Sequence, residues 1–158
     1  MNGGSFTAAT GGASFLHALQ KRKIEVDGDE VPLTDTISYM SALSGGNLVS
    51  IPYHYSQNID SNELLDVEGM SHPSEITMDE LSSTPPKSLF RAYTTAALPE
   101  FILGMLDAYF YGGALWPKII YRSVLEPYGI PQHMLMTDAS IRSEVKSTPI
   151  VQTTMLGK

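Results

Sequence analysis

The stretch TISYMSALSGGNLVSIPYHY, residues Thr36 to Tyr55, decides the fold of this chain. Thr36, Ile37, Tyr39, Met40 and Leu43 are β-branched, aromatic or apolar, and Pro32 and Asp35 bound them upstream, so the spacing predicts a short buried strand. The strand runs into Ala42-Leu43-Ser44-Gly45-Gly46. Small residues two before and two after a serine permit a strained strand-to-helix bend that lifts the hydroxyl clear of the sheet, because a larger Cβ there would strike neighbouring backbone. Ser44 is therefore the candidate nucleophile, and the other reading of the same residues is a Ser-Gly-Gly turn with no chemistry. Beyond the bend, Asn47 to Ser56 begins a helix packed behind the strand, with Pro52 tolerated near its first turns or at a kink.

Upstream, Met1 to Phe6 reads as a glycine-bearing turn and Thr7 to Arg22 as a helix with Phe15, Leu16, Ala18 and Leu19 on its apolar face. Gly11 and Gly12 weaken that helix unless something must approach it closely. A glycine-rich turn opening a helix directs several unpaired N–H groups at one spot and makes an anion site. A phosphate loop is excluded because no Gly-Lys-Ser/Thr follows. Lys21-Arg22-Lys23 falls at the helix end, where the dipole favours cations. Ile24 to Asp35 reads as an acidic, solvated connector.

Downstream, Thr77-x-x-Glu80 matches a capping box, and the other acids between Gln57 and Ser83 read as a solvated face. Thr84-Pro85-Pro86 opens a further helix, with Leu89, Phe90, Tyr93, Ala96 and Ala97 at helical spacing up to Pro99. Phe101 to Tyr111 and Trp116 to Leu125 read as two more, before Pro127 and Gly129. Phe101, Leu106, Phe110, Tyr111 and Trp116 are expected in the core; as an exposed patch they would meet a lipid surface or line an acyl pocket. Residues 131–158 show little periodicity and are expected to be an irregular tail beyond a domain of residues 1–130.

A chain of 158 residues with 42% hydrophobic and 17% charged residues has the composition of one globular domain. Its formal charge of -7 leaves no basic stripe to neutralise phosphates, so no nucleic-acid partner is expected. The absence of cysteine and of Asn-x-Ser/Thr leads to the expectation of a reducing, cytoplasmic setting. Glu100, Asp107 and Gly112-Gly113 interrupt the longest apolar window, against a membrane span. No spacing of His, Asp and Glu suggests a metal site, and no cofactor is expected.

Gly3-Gly4-Ser5-Phe6-Thr7-Ala8, with Gly11 and Ala18-Leu19 after it, and then Ser38-Tyr39-Met40-Ser41-Ala42-Leu43-Ser44-Gly45-Gly46-Asn47, resemble the catalytic domain of the cytosolic phospholipase A2 and lysophospholipase (phospholipase B) family. That family's pattern is Gly-Gly-Gly-Phe/Tyr-Arg-Ala before a helix and Gly-Leu-Ser-Gly-Gly/Ser at the end of a strand. The resemblance ends at Tyr55. It implies an α/β fold, here a partial three-layer α/β/α patatin-like sandwich that is mostly helical in its second half. It also implies a Ser-Asp dyad without histidine, acting without a cofactor on acyl esters of phospholipids or lysophospholipids, with peripheral membrane contact.

By position, the resemblance makes Ser44 the nucleophile and the backbone N–H groups of Gly3, Gly4 and Ser5 the oxyanion hole. Thr7 stands where the pattern has arginine, and a neutral hydroxyl cannot replace a bidentate cation at a phosphate head group. The family's catalytic aspartate lies far downstream, so it is expected outside this chain, which would then be a fragment or a much reduced relative. Within the chain the candidate base is Asp138, in Thr137-Asp138-Ala139-Ser140; otherwise it is a surface or capping aspartate. A triad would instead need His133 with an aspartate between it and Ser44, against a reading of His17, His54, His72 and His133 as solvated or core-capping. The rival to an acyl hydrolase is a non-catalytic domain that keeps the glycine turn and bend as structure and associates with lipid surfaces or proteins.

Overall fold

A computed structural model describes residues 5–66, 75, 77, 79–80, 88–93, 98–133 and 140–152. The chain is mixed α/β and divides into two units, residues 1–55 with 141–158 and residues 56–140.

In the first unit, helix α1 (Ser5–Lys21) buries Ala9, Ala13 and Leu16, a stripe of mostly small side chains at helical spacing. Phe15, expected on that face, is exposed instead. Small residues let the helix lie close to the turn at Ser44–Gly46 and to the helix that follows it. The expected connector is a β-hairpin, strands β1 (Lys23–Val26) and β2 (Asp29–Pro32), antiparallel and largely solvated. Asp27 and Gly28 turn it with φ of 53° and 92°, the pair of left-handed conformations that a two-residue hairpin requires.

Strand β3 (Tyr39–Leu43) starts later than expected because Leu33–Thr36 closes a 3-10 turn, with Thr36 Oγ1 donating to the Leu33 carbonyl at 2.8 Å. Met40 and Ala42 point into the core while Tyr39, Ser41 and Leu43 point out. Helix α2 (Asn47–Tyr55) follows, carries Pro52 within it and packs against α1 and the sheet.

The expected irregular tail supplies the partner of β3. Strand β4 (Thr148–Gln152) runs parallel to it, in register from Tyr39↔Thr148 to Leu43↔Gln152. A parallel pairing needs a crossover, and the intervening chain makes the contact too distant for local periodicity to register. Pro149 further disguises the strand, being tolerated because it lies on an edge.

In the second unit, α3 (Ser61–Leu64) is capped by Asp60, whose carboxylate accepts from the Asn62 and Glu63 N–H groups at 2.8 and 2.9 Å. Thr77 and Glu80 make the reciprocal bonds of a capping box: the Thr77 N–H reaches the carboxylate at 2.8 Å, and the Glu80 N–H reaches Thr77 Oγ1 at 3.2 Å. The helix expected from Thr84 to Ala97 is described only as α4 (Leu89–Ala92), capped by Ser88; residues 84–87 and 94–97 lie outside the described residues. Ser88 also donates to the Asp66 carbonyl at 2.5 Å, and Tyr128 Oη donates to the Ser88 carbonyl at 3.0 Å. Around these bonds Leu64, Leu65, Leu89, Phe90, Ile119 and Val124 form the core.

Helices α5 (Leu98–Tyr111) and α6 (Leu115–Ile120), the second continued by a π-helical stretch at Tyr121–Leu125, form a hairpin around Gly112 and Gly113. They touch at Gly104, where a Cβ would lie 2.7 Å from Ile119 Cα. Gly104 is the one buried residue of α5. Four of the five residues assigned to the core are therefore misassigned: Phe110, Tyr111 and Trp116 are 69%, 80% and 51% exposed and Leu106 is exposed with them, while Phe101 is half-buried. A helix apolar on every side usually signals full burial, and here it presents that surface outward. Among the described residues no helix is long and apolar enough to cross a membrane.

Candidate functional site

Ser44 occupies the bend between β3 and α2. Leu43 is extended at φ -130° and ψ 137°, Ser44 turns to φ 51°, and Asn47 is already helical at φ -68° and ψ -27°. A left-handed conformation at a residue with a Cβ costs about 1–2 kcal/mol. Gly45 and Gly46 are buried beneath the turn while Ser44 itself is exposed. The backbone thus turns its glycines inward and leaves the serine in solvent, at the carboxyl end of a parallel strand pair where open α/β sheets take their ligands. Helix α2 begins three residues later, and its N-terminal partial positive charge favours negative charge developing near the turn.

Helix α1 packs against the Ser44–Gly46 turn. Ser5 is its first residue, so the Ser5 N–H belongs to the four that a helix leaves without an intrahelical acceptor. Gly3 and Gly4 lie outside the described residues, as does Asp138. Thr7 lies exposed on the first turns of α1.

Two residues that the sequence reading did not single out complete the surroundings of the bend. Asn47 Nδ2 donates to the Gln152 carbonyl at 3.0 Å, and Gln152 Nε2 donates to Ser41 Oγ at 3.0 Å. The last residue of β4 is tied in this way both to the first residue of α2 and to the outer face of β3. Asn47 Oδ1 is buried with no hydrogen-bond partner among the described residues. An Asn directly after a Gly-Gly turn was a visible signal for a polar anchor; its partner, 105 residues away, was not.

Among the described residues, no carboxylate or imidazole hydrogen-bonds to Ser44 Oγ. His54 lies near the far end of α2, roughly 10 Å along the helical rise from Asn47. It is fully buried and holds the returning chain in place. Its Nδ1 lies 2.7 Å from the Ser50 carbonyl, which can only accept, so Nδ1 carries the proton and Nε2 accepts from Ser147 Oγ at 3.0 Å. Burial pushes its pKa down; the bond to the Ser50 carbonyl opposes this, and Arg142 reinforces it. Arg142 is itself almost buried, pairs with Glu144, and through its backbone N–H donates to the His54 carbonyl at 2.9 Å. His54 is a core-capping histidine. His133 is exposed in the second unit, His17 is half-buried on α1, and His72 lies outside the described residues.

No group of three or more His, Asp or Glu among the described residues could hold a metal ion. The arrangement presents an exposed hydroxyl on a strained bend, backed by the N-terminus of α2 and packed against by helix α1, a geometry suited to attack on an electrophilic carbon. No protein-family model, curated protein or solved structure matches the chain.

Proposed function

We propose that the chain belongs to a serine acyl hydrolase of the phospholipase A2/lysophospholipase type, with β3, β4, α1 and α2 forming part of a patatin-like three-layer sandwich. One observation carries this reading: Ser44 stands exposed at φ 51° between the carboxyl end of a parallel strand and a helix. A turn needed only for chain reversal gains nothing from a β-carbon in that conformation, and a glycine would relieve the strain.

In the proposed reaction Ser44 Oγ attacks the acyl ester carbonyl carbon and its proton passes to a carboxylate base. The resulting oxyanion is held by the backbone N–H groups of Gly3, Gly4 and Ser5, each such donor lowering the barrier by about 3 kcal/mol. Collapse expels the glycerol oxygen, which takes the proton. Water then attacks the acyl-serine, releases the fatty acid and restores the hydroxyl. Asp138 is the candidate base within this sequence, and the substrate is a phospholipid or lysophospholipid.

The test is labelling of the whole chain with a fluorophosphonate, which traps an activated serine. Labelling at Ser44 that vanishes in Ser44→Ala, with an unchanged circular dichroism spectrum, supports the hydrolase. If Asp138 is the base, Asp138→Asn slows labelling at least about a hundredfold. An unlabelled full-length gene product favours the non-catalytic reading, in which the bend is scaffold.

A further inference from the structure

We propose that the α5–α6 hairpin is a docking surface for a zwitterionic lipid interface. This deepens the hydrolase reading by naming the phase from which an acyl substrate would be drawn, but it rests on different residues. Helix α5 meets α6 through Gly104 against Ile119, and nine of its fourteen residues are exposed. Ile102, Leu106, Tyr109, Phe110 and Tyr111 are exposed, and Trp116 continues the patch onto α6. Tyr109 reaches 82% exposure. An apolar patch of that extent on a water-facing surface marks an interaction site.

Charge selects the occupant. Each acid on the hairpin faces a base of the same unit: Asp107 accepts from Arg122 Nε at 2.6 Å, Glu126 from Arg122 Nη1 at 2.7 Å, and Glu100 lies 3.8 Å from Arg91. The bond from Arg122 holds the Asp107 carboxyl below its usual pKa, with Lys118 adding to the effect. Three acids, Glu100, Asp107 and Glu126, thus stand against three bases, Arg91, Lys118 and Arg122, and the local sum is zero. A locally neutral face on a chain of net charge -7 has no attraction for anionic head groups, and it brings no net charge into a neutral one.

Side-chain chemistry separates lipid from a second copy of the chain. Tyr109, Tyr111 and Trp116 cluster around the Gly112-Gly113 turn, each with an apolar ring and a polar tip, the residue types that settle at head-group depth. Hydrated head groups satisfy the O–H groups of Tyr109 and Tyr111, whereas a dry protein interface would have to supply a partner for both. With 14 residues α5 is too short to span a bilayer core, so the hairpin lies in the interface rather than across it.

The test uses the full chain with phosphatidylcholine vesicles, read by flotation and by emission from Trp116, the single tryptophan. The expected result is co-flotation with a blue shift, and no gain when phosphatidylserine is added. Phe110→Asp, and separately the milder Ile102→Ser, should weaken flotation, the charged change by at least about tenfold, with circular dichroism unchanged. Tyr39→Ser, an exposed aromatic on the first unit's sheet, should have no effect. Three results overturn the proposal: unchanged emission without flotation, tighter binding to anionic than to neutral vesicles, or a dimer in sedimentation that Phe110→Asp dissociates. Ser44→Ala should float as wild type does. A wild-type full-length product that floats but takes no fluorophosphonate label would fault the hydrolase reading alone, and labelling without flotation the docking surface alone.

Discussion

At the scale of single residues, two polar side chains of the first unit are placed in opposite ways. Ser44 is exposed and strained, whereas His54 is buried and has a partner at both ring nitrogens. The first was legible because its signal is local: a serine with Ala42 before it and Gly46 after it leaves little steric choice. The second was not, because Ser147 and Arg142 reach His54 only after the chain has left and returned. His54 makes stability depend on pH. Burial lowers its pKa in the folded state, so as pH falls below about 6.5 the unfolded chain binds a proton that the fold resists. The stability from the neutral, hydrogen-bonded ring is fully present above that pH and is lost as pH falls towards the lower folded value. The groups facing the ring are Ser50 from its own helix, Ser147 and Arg142 from the returning segment, and the neighbouring Tyr53 and Tyr55 rings. None of these side chains offers it a carboxylate. In thermal melts the advantage of wild type over His54→Gln should therefore shrink from pH 7 to pH 5; a constant or widening gap would contradict this assignment.

At the scale of elements, glycines show how far spacing can be trusted. Gly11 and Gly104 both lie inside helices, and composition gives no reason to treat them differently. A methyl group added at Gly11 would meet nothing within 4 Å, whereas one at Gly104 would stand 2.7 Å from Ile119 Cα and 3.1 Å from the Lys118 carbonyl. Gly11→Ala should therefore stabilise α1 by about 0.5–1 kcal/mol through helix propensity and a less flexible unfolded chain. Gly104→Ala should destabilise the second unit by about 1–3 kcal/mol, because α5 and α6 must separate at backbone contact. Denaturant midpoints of the two variants check this, and a shift of the same sign in both would refute it. The β1–β2 hairpin was legible in principle, since Asp27-Gly28 is a strong two-residue turn signal. Its flanks, Lys-Ile-Glu-Val and Asp-Glu-Val-Pro, are too polar to read as half-buried strands, and they are in fact solvated. The outward aromatic face of α5 was misread for the reverse reason: hydrophobic content predicts a buried helix only when a partner covers it.

At the scale of the whole molecule, the chain does not end its first unit at Tyr55. It leaves for residues 56–140 and returns at Ile141, so the first unit is discontinuous. The exit and return lie side by side: the Arg142 N–H donates to the His54 carbonyl at 2.9 Å, its guanidinium reaches the Tyr53 carbonyl at 3.5 Å, and Ser147 reaches the His54 ring. The parallel pairing of β3 with β4 and the link from Asn47 to Gln152 complete the attachment. Residues 56–140 are therefore an insertion whose ends are already close together, the circumstance in which a segment can be removed without stretching the scaffold. Joining Tyr55 to Ile141 through two or three glycines should give a chain that still melts cooperatively, whereas stopping the chain at Ser140 should remove β4 and leave β3 unpaired and the first unit unfolded. The joined chain also divides the two proposed activities. It retains Ser44, α1 and the Asn47–Gln152 tie, but it lacks Asp138 and the α5–α6 hairpin. Vesicle flotation should disappear from it entirely. Fluorophosphonate labelling should fall to the level of Asp138→Asn if that aspartate is the base, and should persist at the wild-type rate if the proton goes elsewhere.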